Sequence, residues 1–358
     1  MKRTNKIVLG SIALGVSGIA LGAAAGVGTI LAGRKILRRL SSLQGQDLSG
    51  QTVLITGSSR GLGLALAEEF ARHGCRIAIC ARDPEELSRA RAQIEHVGAE
   101  VVAVTCDVSR QEEVEHMIDV VRRRFGRIDI LVNNAGIISV GPLLTHKLED
   151  FQEAMNVIFW GTVHPTLAVL PSMLQEGRGK IANITSLGGK VSVPHLLPYS
   201  CAKFATVGFS EGLHAELKKF GIHVSTVVPG PMRTGSHVNA VFKGQQKYEY
   251  GWFALSGANP LFSISVERAA RQIVDAIRNN RAELILCLRA KLLTTAHGIA
   301  PGLISEAMAL VNRLLPAAEG GSMVKKSGRE VEWAVTRSPL TALSTRAARR
   351  YNQLRQTS

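Results

Sequence analysis

A doubly wound α/β fold, with a parallel sheet covered by helices on both faces, is what the sequence predicts. Three observations carry the expectation. From residue 51 onward, short runs rich in Val, Ile and Leu alternate with helical stretches. The runs are apolar almost throughout, as strands buried on both faces must be. Helix-start signals stand between them.

Taken in order, "TVLIT" (52–56) is the first strand and leads to a helix from about Gly61. "RIAICA" (76–81) precedes Asp83-Pro84-Glu85, an N-cap followed by proline in the first turn. "EVVAVTC" (100–106) precedes Ser109-Arg110-Gln111-Glu112, which has the form of a capping box. "IDILVN" (128–133), "KIANITS" (180–186), "IHVSTVV" (222–228) and "AELILCL" (282–288) are four further strands separated by helical segments. Pro165 falls inside the helix after the fourth strand, where its missing N–H predicts a kink.

In such sheets ligands bind beyond the carboxyl ends of the strands. The first of these places reads "TGSSRGLG" (56–63). Gly57, Gly61 and Gly63 permit a tight turn, close backbone approach to a diphosphate and a helix N-terminus aimed at the anion. At the end of the second strand an enzyme preferring NAD places a carboxylate for the ribose hydroxyls. Here stand Ala81 and Arg82, and a guanidinium suits a 2′-phosphate, with Arg60 as a second positive charge. The expected cofactor is therefore NADP(H) in preference to NAD(H). Asp83 is read as the helix cap.

Tyr199 and Lys203, four apart in "LLPYSCAKFA", project from one side of a helix. Alone, that spacing fits a surface pair as readily as catalytic machinery. Combined in order with T-G-x-x-x-G-x-G at 56–63 and "NNAG" at 133–136, it makes the chain resemble the short-chain dehydrogenase/reductase superfamily over about residues 50–290. The resemblance implies one Rossmann-type domain with a seven-stranded sheet. It implies a catalytic set of Asn156, Ser186, Tyr199 and Lys203, the serine thirteen residues before the tyrosine. It also places the dinucleotide against Gly57, Ser59, Arg60, Gly61, Gly63 and Arg82 at its adenosine and diphosphate end. Asp107, Val108, Asn133, Ala135 and Gly136 follow on the next strand ends, and Tyr199, Lys203, Pro229, Gly230 and Thr234 lie near the nicotinamide.

These residue types suit carbonyl reduction. The cofactor brings the hydride and the protein must bring the proton. A phenol with an ordinary pKa of ~10 is a sluggish base at neutral pH, and a nearby ammonium is expected to lower it. Ser186 would hold the substrate oxygen beside Tyr199. By resemblance, Lys203 also grips the nicotinamide ribose, and Asn156 holds a water that links Lys203 to solvent.

The rest of the chain qualifies this reading. Residues 7–33 carry no charge and are flanked by Lys2, Arg3, Lys6, Arg34, Lys35, Arg38 and Arg39. As a helix at ~1.5 Å per residue they would run about 40 Å, enough to cross a ~30 Å hydrocarbon core. A single-pass anchor (1–33) with a basic linker (34–49) is the leading reading. The rival, a secretory signal cleaved after Ala23-Ala24-Ala25, fits less well because the apolar run continues to Leu31. Gly18, Gly22 and Gly26 form a small-residue row that would let two such helices approach, which admits a homo-oligomer.

Residues 291–316 read as an amphipathic helical extension, lying on a membrane or covering the core. Residues 317–358, with eight Lys or Arg against three Glu, read as a flexible basic tail able to touch anionic lipid. A net charge of +15 points to an anionic partner. Five scattered cysteines imply neither a disulfide framework nor a metal site. No nucleic-acid motif accompanies the charge.

Residues 242–262 hold Phe242, Tyr248, Tyr250, Trp252, Phe253 and Phe262, an enrichment that suits an apolar pocket. A lipophilic alcohol or ketone, acted on by a membrane-tethered enzyme with its catalytic domain in the cytoplasm, is the resulting expectation. The rival from another class is a cofactor-binding scaffold or redox sensor without turnover.

Overall fold

The computed structural model describes residues 45–259, 263–332 and 341–354. The expected membrane span at 7–33 and Phe262 lie outside the described residues. Seven parallel strands form the central sheet: β1 (Thr52–Thr56), β2 (Arg76–Ala81), β3 (Val101–Thr105), β4 (Ile130–Asn133), β5 (Gly179–Ile184), β6 (Ile222–Val228) and β7 (Glu283–Ile285). Their spatial order is β3-β2-β1-β4-β5-β6-β7. The chain thus winds outward in one direction from β1 and then in the other from β4, and the crevice where the direction reverses is where such sheets bind ligands.

Helices α1 (Gly61–Arg72), α2 (Pro84–Glu95) and α7 (Val266–Arg278) cover one face. Phe70, Leu64 and Ile273 there are fully buried against Val53, Ile55 and Ile77. Helices α3 (Gln111–Phe125), α4 (Leu148–Glu176) and α5 (Leu197–Leu217) cover the other, with Met117, Val121 and Val169 packed on Leu54 and Leu131. Each such side chain taken from water stabilises the layers by ~1.5–3 kcal/mol. Among the described residues only α4 is long and apolar enough to cross a bilayer, and it packs on the sheet through Val169 and Met173.

The start of α2 follows the sequence: Asp83 Oδ1 accepts from the Glu85 and Glu86 amides, both at 3.0 Å. The start of α3 differs. Its N-cap is Arg110, and Ser109 instead turns back to Asp107 while Glu113 accepts the Asp107 amide. In α4 the proline effect takes the form of a widened π turn over Met155–Trp160, just N-terminal to Pro165, where the ring presses on the preceding turn.

The C-terminal residues differ most from expectation. In place of a flexible tail, Ser322–Ser327 pairs antiparallel with Val241–Gly244, which also pairs with Ser139–Val140 to make a second, three-stranded sheet. Lys243 and Lys325 both pair with Asp150 of α4. Burial alone would raise that carboxyl, but bonds from Lys243, the Lys147 amide and Lys325 hold it well below the usual carboxylate range. Helix α6 (Gln246–Ala258) follows the strand, α8 (Leu288–Ile299) and α9 (Pro301–Asn312) form a hairpin, and α10 (Ala342–Arg350) returns the chain to α1.

Candidate active site

A cavity of about 970 Å³ opens at the switch point, lined from the β1–α1 turn through the ends of β2, β3 and β4 to Ser186, Tyr199 and α6. Local constraints shape its floor. Gly57 and Gly61 have φ of +61° and +60°, a region from which a Cβ is largely barred. Thr56 Oγ1 accepts from the amides of Asn134 (3.0 Å) and Ala135 (3.1 Å), while Asn134 Nδ2 donates to the carbonyls of Thr56 and Gly57. The β4 end is thereby pinned to the glycine turn.

Of the residues singled out from sequence, Gly57, Ser59, Arg60, Gly61, Gly63, Arg82, Asp107, Val108, Ala135, Gly136, Ser186, Tyr199, Lys203, Pro229, Gly230 and Thr234 all line this cavity. Two do not. Asn133 is buried beneath it, donating to Thr166 Oγ1 and Asn183 Oδ1 and so tying β4 to α4 and β5. Its neighbour Asn134 takes the cavity wall, because β4 ends at Asn133 and the next residue is free to turn outward.

Asn156 is exposed and stands away from the cavity, so the expected link from Lys203 to solvent through it is absent from this arrangement. Val157 of this turn lines the cavity instead, while Ile158 is buried with Ala154 and Ala202. The π turn sets the register here, since widening a turn by one residue changes which side chain faces inward.

Arg60 also departs from expectation. Its Nη1 lies 2.8 and 3.0 Å from the two oxygens of Glu86, which neutralises the second charge expected for a 2′-phosphate. Arg82 remains exposed at the end of β2, with no bond or ion pair among the described residues.

At the other end, Lys203 is 5% exposed and Nζ donates to the Ile184 carbonyl at 2.7 Å, its ammonium 5.7 Å from the centre of the Tyr199 ring. Ser186 and Tyr199 both line the cavity, and the Ser186 Oγ accepts from the Gly188 amide at 3.1 Å. Burial pushes the phenol above its ordinary value, and the influence of Ser186 opposes this only in part. The lowering by Lys203 expected from sequence does not appear in the protein alone, where desolvation dominates and Ser186 supplies the opposing influence. Burial also pulls the Lys203 ammonium down to about 8.

The sign of the resulting pH dependence is fixed. Native Lys203 loses its proton near pH 8, unfolded lysine near ~10.4, so between these values the unfolded chain binds more protons and this residue's contribution to stability rises with pH. The urea midpoint of the wild type should gain on that of Lys203→Met from pH 8 to 10. Parallel curves would mean that Lys203 has an unperturbed pKa.

The apolar wall is supplied by Val193, Leu196, Trp252 and Phe253. Phe242 and Tyr250 of the aromatic-rich stretch pack instead in a small core with Val140, and Tyr248 is exposed. Trp252 is held by a group of residues that sequence spacing did not reveal. Its Nε1 donates to Glu249 Oε2 at 2.7 Å, and buried His195 Nδ1 lies 2.9 Å from both Glu249 oxygens. Ser344 and Gln353, from the C-terminal return, also line the cavity.

Known proteins share this fold and much of this sequence. The sequence model described as short chain dehydrogenase matches residues 51–243. A dehydrogenase/reductase SDR family protein 7-like of Anopheles gambiae is 33% identical over 261 residues, 70% of this chain and 80% of its own. A short-chain dehydrogenase structure from Streptomyces avermitilis superposes with TM-score 0.64 at 29% identity, covering 74% of this chain and 98% of that one. An actinorhodin polyketide ketoreductase solved with NADPH gives 0.59 at 29%, covering 66% and 96%. The chain belongs to the short-chain dehydrogenase/reductase family. It is an oxidoreductase of CH–OH groups that interconverts alcohol and carbonyl with a nicotinamide dinucleotide.

Proposed function

We propose that the protein is a membrane-tethered, NADP(H)-dependent oxidoreductase acting on a lipophilic primary or secondary alcohol, or its aldehyde or ketone, of steroid, retinoid or acyl-chain type. The observation that carries the reading is that the glycine turn, an Arg82 with no ion pair among the described residues, the Ser186-Tyr199-Lys203 group and an apolar wall share one cavity.

The glycine turn, Asp107 and Gly136 would hold the dinucleotide, and Arg82 would take its 2′-phosphate by paired charge-assisted bonds. When bound, the cofactor supplies or accepts the hydride. Ser186 orients the substrate oxygen beside the phenol. Tyr199 gives that oxygen a proton in reduction and removes it in oxidation. Lys203, cationic below pH about 8, stabilises the phenolate that results. Val193, Leu196, Trp252 and Phe253 exclude water from the reacting carbon and favour an apolar substrate.

Two features support membrane tethering: the uncharged run at 7–33 and the α8–α9 hairpin. Ile299, Leu303 and Leu314 are 80%, 70% and 86% exposed there, among Arg289, Lys291 and Arg313. An apolar face rimmed by basic residues suits an anionic bilayer interface. This favours lipid contact over the alternative that the hairpin covers the core, since α9 buries none of its residues.

The test is dinucleotide oxidation by the detergent-purified chain against a panel of lipophilic ketones and aldehydes. NADPH should be preferred. Arg82→Ala should lower kcat/KM for NADPH by about 10- to 100-fold, the loss of a charged hydrogen-bond pair, and leave NADH nearly unchanged. Equal efficiency with the two cofactors, indifferent to Arg82→Ala, would remove the NADP preference, and turnover of small water-soluble carbonyls alone would remove the lipophilic substrate.

A further inference from the structure

Helix α1 lacks a side-chain cap at Arg60, and the Gly61 amide donates instead to the Tyr351 carbonyl at 2.9 Å. The next two residues bind on both sides of the cavity. Asn352, at φ +54°, donates from Nδ2 to the carbonyls of Ser59 (2.9 Å) and Glu86 (3.0 Å) and accepts from Arg89 Nε (3.1 Å). The Gln353 carbonyl accepts from Asn239 Nδ2 (3.0 Å) and Arg329 Nη2 (2.7 Å), and its Oε1 accepts from Asn239 Nδ2 at 2.6 Å.

One wall of the cavity, the glycine turn with α2, is thus tied to the other, the segment after β6. Tyr351, Asn352 and Gln353 are 1%, 9% and 4% exposed. Two glycines make room for the crossing: a Cβ on Gly61 would stand 2.5 Å from Gln353 Nε2, and one on Gly235 would stand 2.7 Å from the Ala348 Cα.

We propose that Tyr351–Gln353 is a clasp that completes the dinucleotide site and retains the cofactor, with Gln353 as a positioning residue at the diphosphate end. The inference rests on the reading that this end of the cavity takes the dinucleotide. The Tyr351 carbonyl satisfies the first amide of α1, which leaves the amides of Leu62 and Gly63 to face the anion. Because the clasp spans both walls, they cannot part to release a bound dinucleotide until its hydrogen bonds break. A clasp that the bound dinucleotide itself strengthens slows dissociation more than association.

The experiment measures NADPH dissociation from the full-length, detergent-purified chain by stopped-flow fluorescence, with hydrogen exchange of the C-terminal peptide alongside. The double variant Asn352→Ala/Gln353→Ala keeps the Tyr351 core contact, and exposed Arg349→Ala serves as control. Loss of the four side-chain bonds of Asn352 and Gln353, with the main-chain carbonyl bonds kept, should speed dissociation about tenfold in the double variant and leave the control unchanged. In the wild type, NADPH should slow amide exchange across residues 342–354.

Unchanged dissociation in a folded double variant, or no effect of NADPH on exchange in the wild type, overturns the clasp and leaves the oxidoreductase reading intact. The exchange measurement needs no variant, so it decides the matter if the double variant fails to fold. A wild type that binds neither NADPH nor NADH removes both readings.

Discussion

Tyr199→Phe is expected to lower kcat for carbonyl reduction by about 1000-fold, within the range that a positioned acid contributes, while the dissociation constant for NADPH stays within about twofold. The substitution removes one hydroxyl and leaves the ring, which packs on the small clusters around Leu196 and Ala202. What is lost is the hydroxyl that, on the proposed reading, donates the proton. A structural role alone would give the opposite pattern, a small loss of stability of ~1 kcal/mol with turnover intact. Separate measurement of kcat, cofactor affinity and melting temperature distinguishes the two. Full turnover in Tyr199→Phe would mean that another group delivers the proton.

Gly57→Ala is expected to cost on the order of 3 kcal/mol, from the strain of a left-handed residue together with overpacking. It should also weaken dinucleotide binding more than tenfold. The added Cβ would lie 2.6 Å from the Ala135 Cα, and the Ala135 amide is held by Thr56 Oγ1 at 3.1 Å, so neither wall can move freely. Gly98→Ala separates the two causes. Gly98 has φ +94° but open space around it, so it carries strain without collision. If the two variants melt and bind NADPH alike, the close approach of β1 and β4 ends has no energetic weight and the cradle is more pliant than its geometry implies.

The elements that could be read from sequence are those encoded by near neighbours. Apolar runs gave the strands of the sheet, the Asp83-Pro84 pair gave the start of α2, and the spacing of Ser186, Tyr199 and Lys203 brought three side chains to one cavity. Motif spacing works there because one strand end and one helix turn fix the direction of each side chain.

Where one residue of register matters, the pattern failed. Asn133 and Asn134 are equivalent in the motif, and only the end of β4 decides that Asn134 faces the cavity. Asn156 and Val157 are neighbours in the π turn, and it is Val157 that lines the cavity while Asn156 is exposed. Arg60 reads as a free cation until the fold places Glu86 against it, 26 residues away.

Sequence alone therefore carried the class of fold, the glycine turn and the Ser186-Tyr199-Lys203 group that shares its cavity, because each is written within a strand or helix and the turn beside it. The tertiary structure decided which charges are free, which asparagine serves the site, how Trp252 is held and that the C-terminal residues return to the glycine turn. The Asn352 bond to Ser59 joins residues 293 apart. Contacts of that range depend on packing and desolvation across the whole domain, which no local pattern of side chains encodes.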